Sequence, residues 1–353
     1  MLPDSGADSR PNDGRLRGTP ETARLPAIPL FHTGPDFPIE TTLAYGERGY
    51  DLLALATAGA SPAAIRVGDA VSRAWLRRSR HPFAAEIETV ARVVQRPGTH
   101  FFNDGYEWGC TTAVKTVSSG GGSGRLVRVL DWRTRGLGRH VVAARVACAL
   151  GPWLTLTWPG YTGVLQAVAR GRFAAGLNQA PARADWNNGP LDWLAARIRV
   201  WRSTAITPAH LLRQVFETSA NFTQARERLV ETPLAAPVIF TLAGPRAGEA
   251  CVIERQENSA RVLEGKAAQC ANDWQTPAWQ GRRRPGRSSA ERLAAMQQVS
   301  QAPDFGQPVA WLGSPILNEE TRVALLADPA EGRIVACGYE DSAAVTAVLD
   351  VTI

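Results

Sequence analysis

Trp108-Gly109-Cys110-Thr111-Thr112-Ala113-Val114 is followed, after a glycine-rich break, by Arg128-Val129-Leu130-Asp131-Trp132. This pairing constrains the fold more than any other stretch. Thr111, Ala113 and the residues to Val117 alternate in a run rich in β-branched side chains, which reads as a strand. Ser118-Ser119-Gly120-Gly121-Gly122-Ser123-Gly124 reads as a flexible turn, and Arg125 to Trp132 as the returning strand. A hairpin of this kind brings Arg128 and Asp131 back beside Cys110. The glycine run lacks the lysine and following Ser/Thr of a phosphate-binding loop, so a phosphate cradle is not expected.

Further short motifs continue in order along the chain. Pro82-Phe83-Ala84-Ala85-Glu86-Ile87 lies upstream of Cys110. Gly160-Tyr161-Thr162-Gly163-Val164-Leu165 and Gly176-Leu177-Asn178 lie downstream, then Thr241-Leu242-Ala243-Gly244-Pro245 and Cys251-Val252-Ile253-Glu254-Arg255. Asn272-Asp273-Trp274, Arg287 and Ser314-Pro315-Ile316-Leu317-Asn318 complete the set. In order and spacing they resemble the acid ceramidase and N-acylethanolamine acid amidase branch of the choloylglycine hydrolase family, within the N-terminal-nucleophile (Ntn) hydrolases. The Gly-Cys-Thr-Thr-Ala context also resembles isopenicillin N acyltransferase.

The resemblance implies a precursor cut between Gly109 and Cys110. Cys110 would then carry both a thiol nucleophile and, in its new α-amine, the base. Such an amine has a pKa of about 7.7–8.0, close to what a general base needs. Asp131 would accept a hydrogen bond from the amine, and Arg128 would favour thiolate by its fixed charge. Asn178 and Asn272 are the candidate oxyanion donors. Arg287 would steady the asparagine and the tetrahedral intermediate, with Arg284 as its competitor across the Arg282-Arg283-Arg284-Pro285-Gly286 insert. Trp132, Tyr161 and Gln179 are candidates for substrate contact. Where the ceramidase-like members often have Asn-Glu, this chain has Asn178-Gln179. The implied activity is hydrolysis of N-acylated, fatty-acyl amines through an acyl-thioester, without a cofactor. An acyltransferase, a bile-salt or penicillin V amidase, and a non-catalytic binding descendant stay open as alternatives.

Plainer readings exist for each residue. Cys110 could be a buried structural thiol, Arg128 and Asp131 an ordinary ion pair, and Asn178 a turn residue. Cys148, Cys251, Cys270 and Cys337 read as inert. There is no Cys-x-x-Cys pair and the five histidines are scattered, so a metal site is not expected.

The remaining pattern alternates between classes. Residues 1–27 are polar, read as a disordered tail, and lack an apolar signal-peptide core. Residues 28–109 read as a mostly helical propeptide or small subunit, and residues 110–353 as the catalytic part. Pro190 opens a helix with Leu191, Leu194, Ile198 and Trp201 on one face. Thr207-Pro208 starts another, with Leu211, Leu212, Val215 and Phe216 facing inward. Strands resume at Val238, Cys251 and Arg261, a helix runs from Ser288 or Ser289 through Met296, and the last strands span Val309 to about Val348. Strands, helices, then strands again suit an α+β fold, and the resemblance implies the four-layer αββα sandwich. The net charge of +6 suits acidic substrates or transient contact with an anionic membrane surface, and does not demand nucleic acid. Without a signal peptide or spanning segment, a cytoplasmic location is expected, and the sequon Asn221-Phe222-Thr223 would carry no sugar. The two fragments are expected to stay together around a shared core.

Overall fold

The computed structural model describes residues 25–104, 109–117, 122–183, 186, 188–265, 267–282, 289–302 and 309–353. The chain begins with β1 (Leu30–Thr33), then α1 (Phe37–Ala44), α2 (Gly46–Thr57), α3 (Pro62–Arg78), α4 (Ala84–Val94) and α5 (Thr99–Asp104). The hairpin of β2 (Gly109–Val117) and β3 (Ser123–Asp131) follows, then the short α6 (Leu137–His140) and four strands: β4 (Val142–Val146), β5 (Trp153–Thr157), β6 (Gln166–Ala169) and β7 (Phe173–Gln179). Three helices come next, α7 (Gly189–Arg202), α8 (Pro208–Thr218) and α9 (Phe222–Glu231). The chain closes with β8 (Val238–Ala243), β9 (Ala250–Arg255), β10 (Ala260–Glu264), β11 (Ala267–Cys270), α10 (Ser289–Gln301), β12 (Thr321–Asp328), β13 (Arg333–Glu340), β14 (Ala343–Ala344) and β15 (Leu349–Thr352).

Two sheets result. One has the order β1-β4-β5-β6-β7-β8-β9-β10, the other β11-β2-β3-β12-β13-β14, with β15 also on β13. Among the described strands every pairing is antiparallel except β1 with β4. Alternation sends one side chain in two between the sheets. Val114, Leu126 and Leu130 from one sheet and Leu154, Leu156, Val168 and Ala243 from the other fill that space. The opposite face of the second sheet, with Ala113, Val127 and Val129, packs on Met296 of α10. The first sheet is covered by α8, whose Leu211, Leu212, Val215 and Phe216 are buried as the pattern predicts. Phe216 stacks on Trp153 and packs against Phe173. Burying one such side chain contributes about 1.5–3 kcal/mol. This is the α+β sandwich of two stacked antiparallel sheets flanked by helices.

Some expectations change. The segment before Cys110 is helical over α1–α5, but β1 pairs with β4 and so forms part of the first sheet. The stripe Leu191, Leu194, Ile198 and Trp201 exists on α7, yet all four are exposed, at 50, 50, 42 and 39%. No strand forms from Val309 to Glu320, where Gly313, Pro315 and Asn318 favour turns, and the last strands start at Thr321. The helix from Ser289 runs past Met296 to Gln301. Asn221 of the sequon caps α9, accepting from Gln224 N–H at 3.0 Å. Most of the expected tail (residues 1–24), residues 118–121 of the glycine turn, Arg284 and Arg287 lie outside the described residues. No helix among the described residues is long and apolar enough to cross a membrane.

Candidate active site

The hairpin register pairs Gly109 with Asp131, Cys110 with Leu130 and Thr112 with Arg128. Strand alternation then sorts the side chains. Cys110, Thr112, Arg128 and Leu130 point between the sheets. Gly109, Thr111 and Asp131 belong to the face that packs on α10. The Cys110 backbone therefore lies between two environments.

On the inter-sheet side, Arg128 is fully buried and its Nη2 lies 2.8 Å from Cys110 Sγ. The same nitrogen donates to the Leu177 carbonyl at 2.6 Å, and Nη1 donates to Gln166 Oε1. Gln166 is itself fixed by donating to the Leu156 carbonyl at 2.8 Å. Gly176 leaves the room: a Cβ there would sit 2.9 Å from Arg128 Cδ. In the uncut chain burial pushes the Cys110 thiol up to about 12, against the pull of the Arg128 charge.

On the helix side, Asp131 accepts from Thr321 Oγ1 at 2.9 Å and from Arg292 Nη1 at 3.2 Å. Burial raises its pKa, and Arg292 and Thr321 oppose the rise. Arg292, 5% exposed, is the cation that joins the site. Its Nη1 also donates to the Cys110 carbonyl at 3.0 Å and to Thr111 Oγ1 at 2.6 Å, and its Nη2 to Asn272 Oδ1 at 2.8 Å. The sequence reading missed this residue. The inward stripe of α10 is Ser289, Arg292, Met296 and Ser300, three of them polar, so it looks like a solvent face. Their spacing of three and four was the available signal.

The two asparagines differ. Asn272 Oδ1 accepts the Cys110 backbone N–H at 3.0 Å, while its Nδ2 donates to the Gln179 carbonyl at 2.8 Å. Its own N–H donates to Ser289 Oγ at 2.8 Å, which ties the loop after β11 to the start of α10. Asn178 accepts from Thr112 Oγ1 at 2.8 Å across the two sheets and donates to the Ala271 carbonyl at 3.1 Å. It is fully buried and lies behind the cavity wall rather than in it.

A cavity of about 1220 Å³ opens at this point. Gly109, Asp131, Asn272 and Arg292 line one end. One wall is apolar and comes from the N-terminal helices: Leu53, Ala56, Ala60, Ile65, Phe101 and Phe102. The other mixes Pro181, Ala235, Pro237 and Val238 with the ion pairs Arg183–Glu257 and Arg282–Asp192. Of the substrate-contact candidates, Trp132 and Gln179 line the cavity. Trp132 stacks on Phe102 with centroids 5.8 Å apart. Tyr161 does not line it; it is buried against Phe102, and burial raises its hydroxyl pKa. No cluster of three or more His, Cys, Asp or Glu that could hold a metal ion occurs among the described residues.

Residues 196–304 match the family described as acyl-coenzyme A:6-aminopenicillanic acid acyl-transferase. The chain is 31% identical to the acid ceramidase of Mus musculus over 101 residues, 29% of this chain and 24% of that protein. It is 26% identical to the acid ceramidase of Bos taurus over 186 residues, 50% of this chain and 45% of that one. The matches thus span from about a quarter to less than half of these relatives. In fold, the chain is similar to a Caenorhabditis elegans N-acylethanolamine-hydrolyzing acid amidase ortholog, with a TM-score of 0.50 at 19% identity over 63% of this chain and 93% of that one. The two-sheet sandwich is thus a fold this chain shares with that amidase ortholog, and over part of its length its sequence is similar to acid ceramidases and to the acyl-transferase family.

Proposed function

We propose that this chain is a self-processing amidase that hydrolyses N-acyl amines through a thioester on Cys110. The observation that carries the reading is the convergence on one residue: Arg128 contacts the thiol, Asn272 the backbone N–H and Arg292 the carbonyl of Cys110. A structural cysteine has no use for three buried polar partners, each of which loses hydration on burial.

In maturation, Cys110 Sγ adds to the Gly109 carbonyl and the Cys110 nitrogen leaves, giving a thioester. Water then releases the Gly109 carboxylate and frees the thiol and the α-amine. In turnover the α-amine takes the thiol proton as sulfur attacks the substrate carbonyl, and returns it to the departing amine. Water hydrolyses the acyl-thioester. Asn272 and Asp131 hold the amine. Asn272 Nδ2 has a second N–H beyond the one given to Gln179, and in this reading it serves the oxyanion. Asn178 supports the same loop from behind. Arg292 takes the part expected of Arg287.

The acyl chain lies against the apolar wall of α2, α3 and α5, beside Phe102 and Trp132. That wall belongs to the segment before the cut, so the two fragments stay together in the working enzyme. A fluorogenic long-chain fatty amide tests the activity. Turnover by wild type and none by Cys110→Ala is expected; equal rates would overturn the proposal. The matched acyl-transferase family favours a second reading, in which an added amine rather than water takes the acyl group from sulfur. Diversion of the product by a competing amine would support it.

A further inference from the structure

We propose that Glu254 is a positioning residue: its buried carboxylate fixes the loop after β11, and through that loop sets Asn272 against the nitrogen of Cys110. The segment Cys251-Val252-Ile253-Glu254-Arg255 supplies this carboxylate, which is fully buried. Glu254 does not line the cavity, so it acts through Asn272 and not on substrate.

Register and alternation place it. Asn178 pairs with Ile239 and Ile239 with Glu254, so the three stand in one row across β7, β8 and β9. Residues paired in this way share a face of the sheet. The row faces the second sheet, because Asn178 meets Thr112 there. Arg255 points the other way and donates to the Thr232 carbonyl at the end of α9, at 2.8 Å. The two polar ends of the row then grip the loop at its two ends. Asn178 Nδ2 donates to the Ala271 carbonyl at 3.1 Å, where the chain leaves β11. Glu254 Oε1 accepts the Gln275 N–H at 2.6 Å, and Oε2 the Thr276 N–H at 3.0 Å. The Gln275 side chain turns back to the Gln269 carbonyl at 2.7 Å. Asn272 sits between these anchors. Residues 271–276 lie outside the strands, so these N–H groups need an acceptor other than a sheet neighbour. A carboxylate gives them the stronger, charge-assisted kind of hydrogen bond. Small errors matter at such a place: a displacement of about 1 Å can cost about a hundredfold in rate.

The kinetic part of the test rests on the amidase reading; the exchange part does not. Glu254→Gln keeps the shape but turns one acceptor into a donor facing an N–H. Glu254→Asp, which keeps the charge and shortens the reach, takes its place if the amide variant does not fold. In the Cys110→Ala chain, amide hydrogen exchange at position 110 and at positions 275 and 276 should speed up about tenfold when Glu254→Gln is added. In the chain with Cys110 intact, Glu254→Gln should slow fragment formation and lower kcat about tenfold, with KM unchanged. Added to Asn272→Ala it should cost nothing more, since both act on one contact. Exchange at position 110 that stays as slow as before, or costs that simply add in the double variant, would overturn the proposal. A wild type that neither cuts itself nor turns over the fatty amide would overturn the amidase reading instead, and exchange at position 110 would still decide the role of Glu254.

Discussion

Asn272 Oδ1 accepts the backbone N–H of Cys110 at 3.0 Å, across 162 residues of chain. The nitrogen it holds is the one that the proposed cut would turn into a free amine. Arg292 fixes the same oxygen from the other side at 2.8 Å. Hydrogen bonds of this charged kind contribute about 1.5–3 kcal/mol. Asn272→Ala should therefore slow fragment formation about 10- to 100-fold, followed by gel densitometry. Cleavage at the wild-type rate in a folded Asn272→Ala protein would contradict the assignment.

Arg292 and Arg287 can be separated directly. Arg292 makes four contacts within the site, and breaking one member of a buried ion pair costs about 3–5 kcal/mol. Arg292→Ala should abolish turnover and lower the melting temperature. Arg292→Lys should recover little, because a single ammonium cannot replace the fork that reaches Asp131 and Asn272 together. Arg287→Ala should retain most activity. Steady-state rates of the three variants decide it.

Arg128 should set the reactivity of the matured thiol. Its charge favours thiolate, so its loss raises the thiol pKa. In Arg128→Met the alkaline limb of iodoacetamide alkylation should move to higher pH, and the rate at neutral pH should fall at least about tenfold, one pKa unit of thiolate. An unmoved profile would mean that the 2.8 Å contact does not govern the sulfur.

Acid should loosen the packing of the N-terminal segment on the sandwich. His81 follows α3 and meets His210 of α8 edge to face, 4.7 Å between centroids. His210 lies between Thr207 Oγ1 at 2.6 Å and Thr162 Oγ1 at 2.8 Å. Thr162 also bonds Asn103 Oδ1 at 2.8 Å, and burial among these groups disfavours the charged His210 ring. Burial lowers the His81 pKa to about 4 and that of His210 well below the usual range, with Arg213 adding to the latter. With folded values below the unfolded one of about 6.5, the unfolded chain binds more protons between the two. Stability is complete above about pH 6.5 and is lost as pH falls toward 4, by about 3 kcal/mol for His81. The melting temperature should drop through that window, and His81→Leu should flatten the drop; a parallel curve would refute the cause.

What the sequence made legible was local and alternating. The run of Thr and Val after Cys110, and the glycines before Arg125, are enough to define the hairpin, and the hairpin register alone brings Arg128 and Asp131 to Cys110. The inward face of α8 was legible for the same reason. Two things were not. Arg292 reaches the site from a helix separated from Asn272 by an arginine-rich stretch, so linear spacing pointed to Arg287 or Arg284. The stripe on α7 was visible, but periodicity says that a helix has an apolar side, not whether protein covers it. Tyr161 illustrates a third limit: its motif was recognised, yet a ring next to a site can be part of the packing beneath it.

The most direct test is intact mass and N-terminal sequencing of the purified protein beside Cys110→Ala. The account predicts two wild-type fragments, residues 1–109 and 110–353, the second beginning Cys-Thr-Thr-Ala, and a single uncut Cys110→Ala chain. A wild type that stays whole from acidic to neutral pH would leave the thiol without its amine and contradict the mechanism.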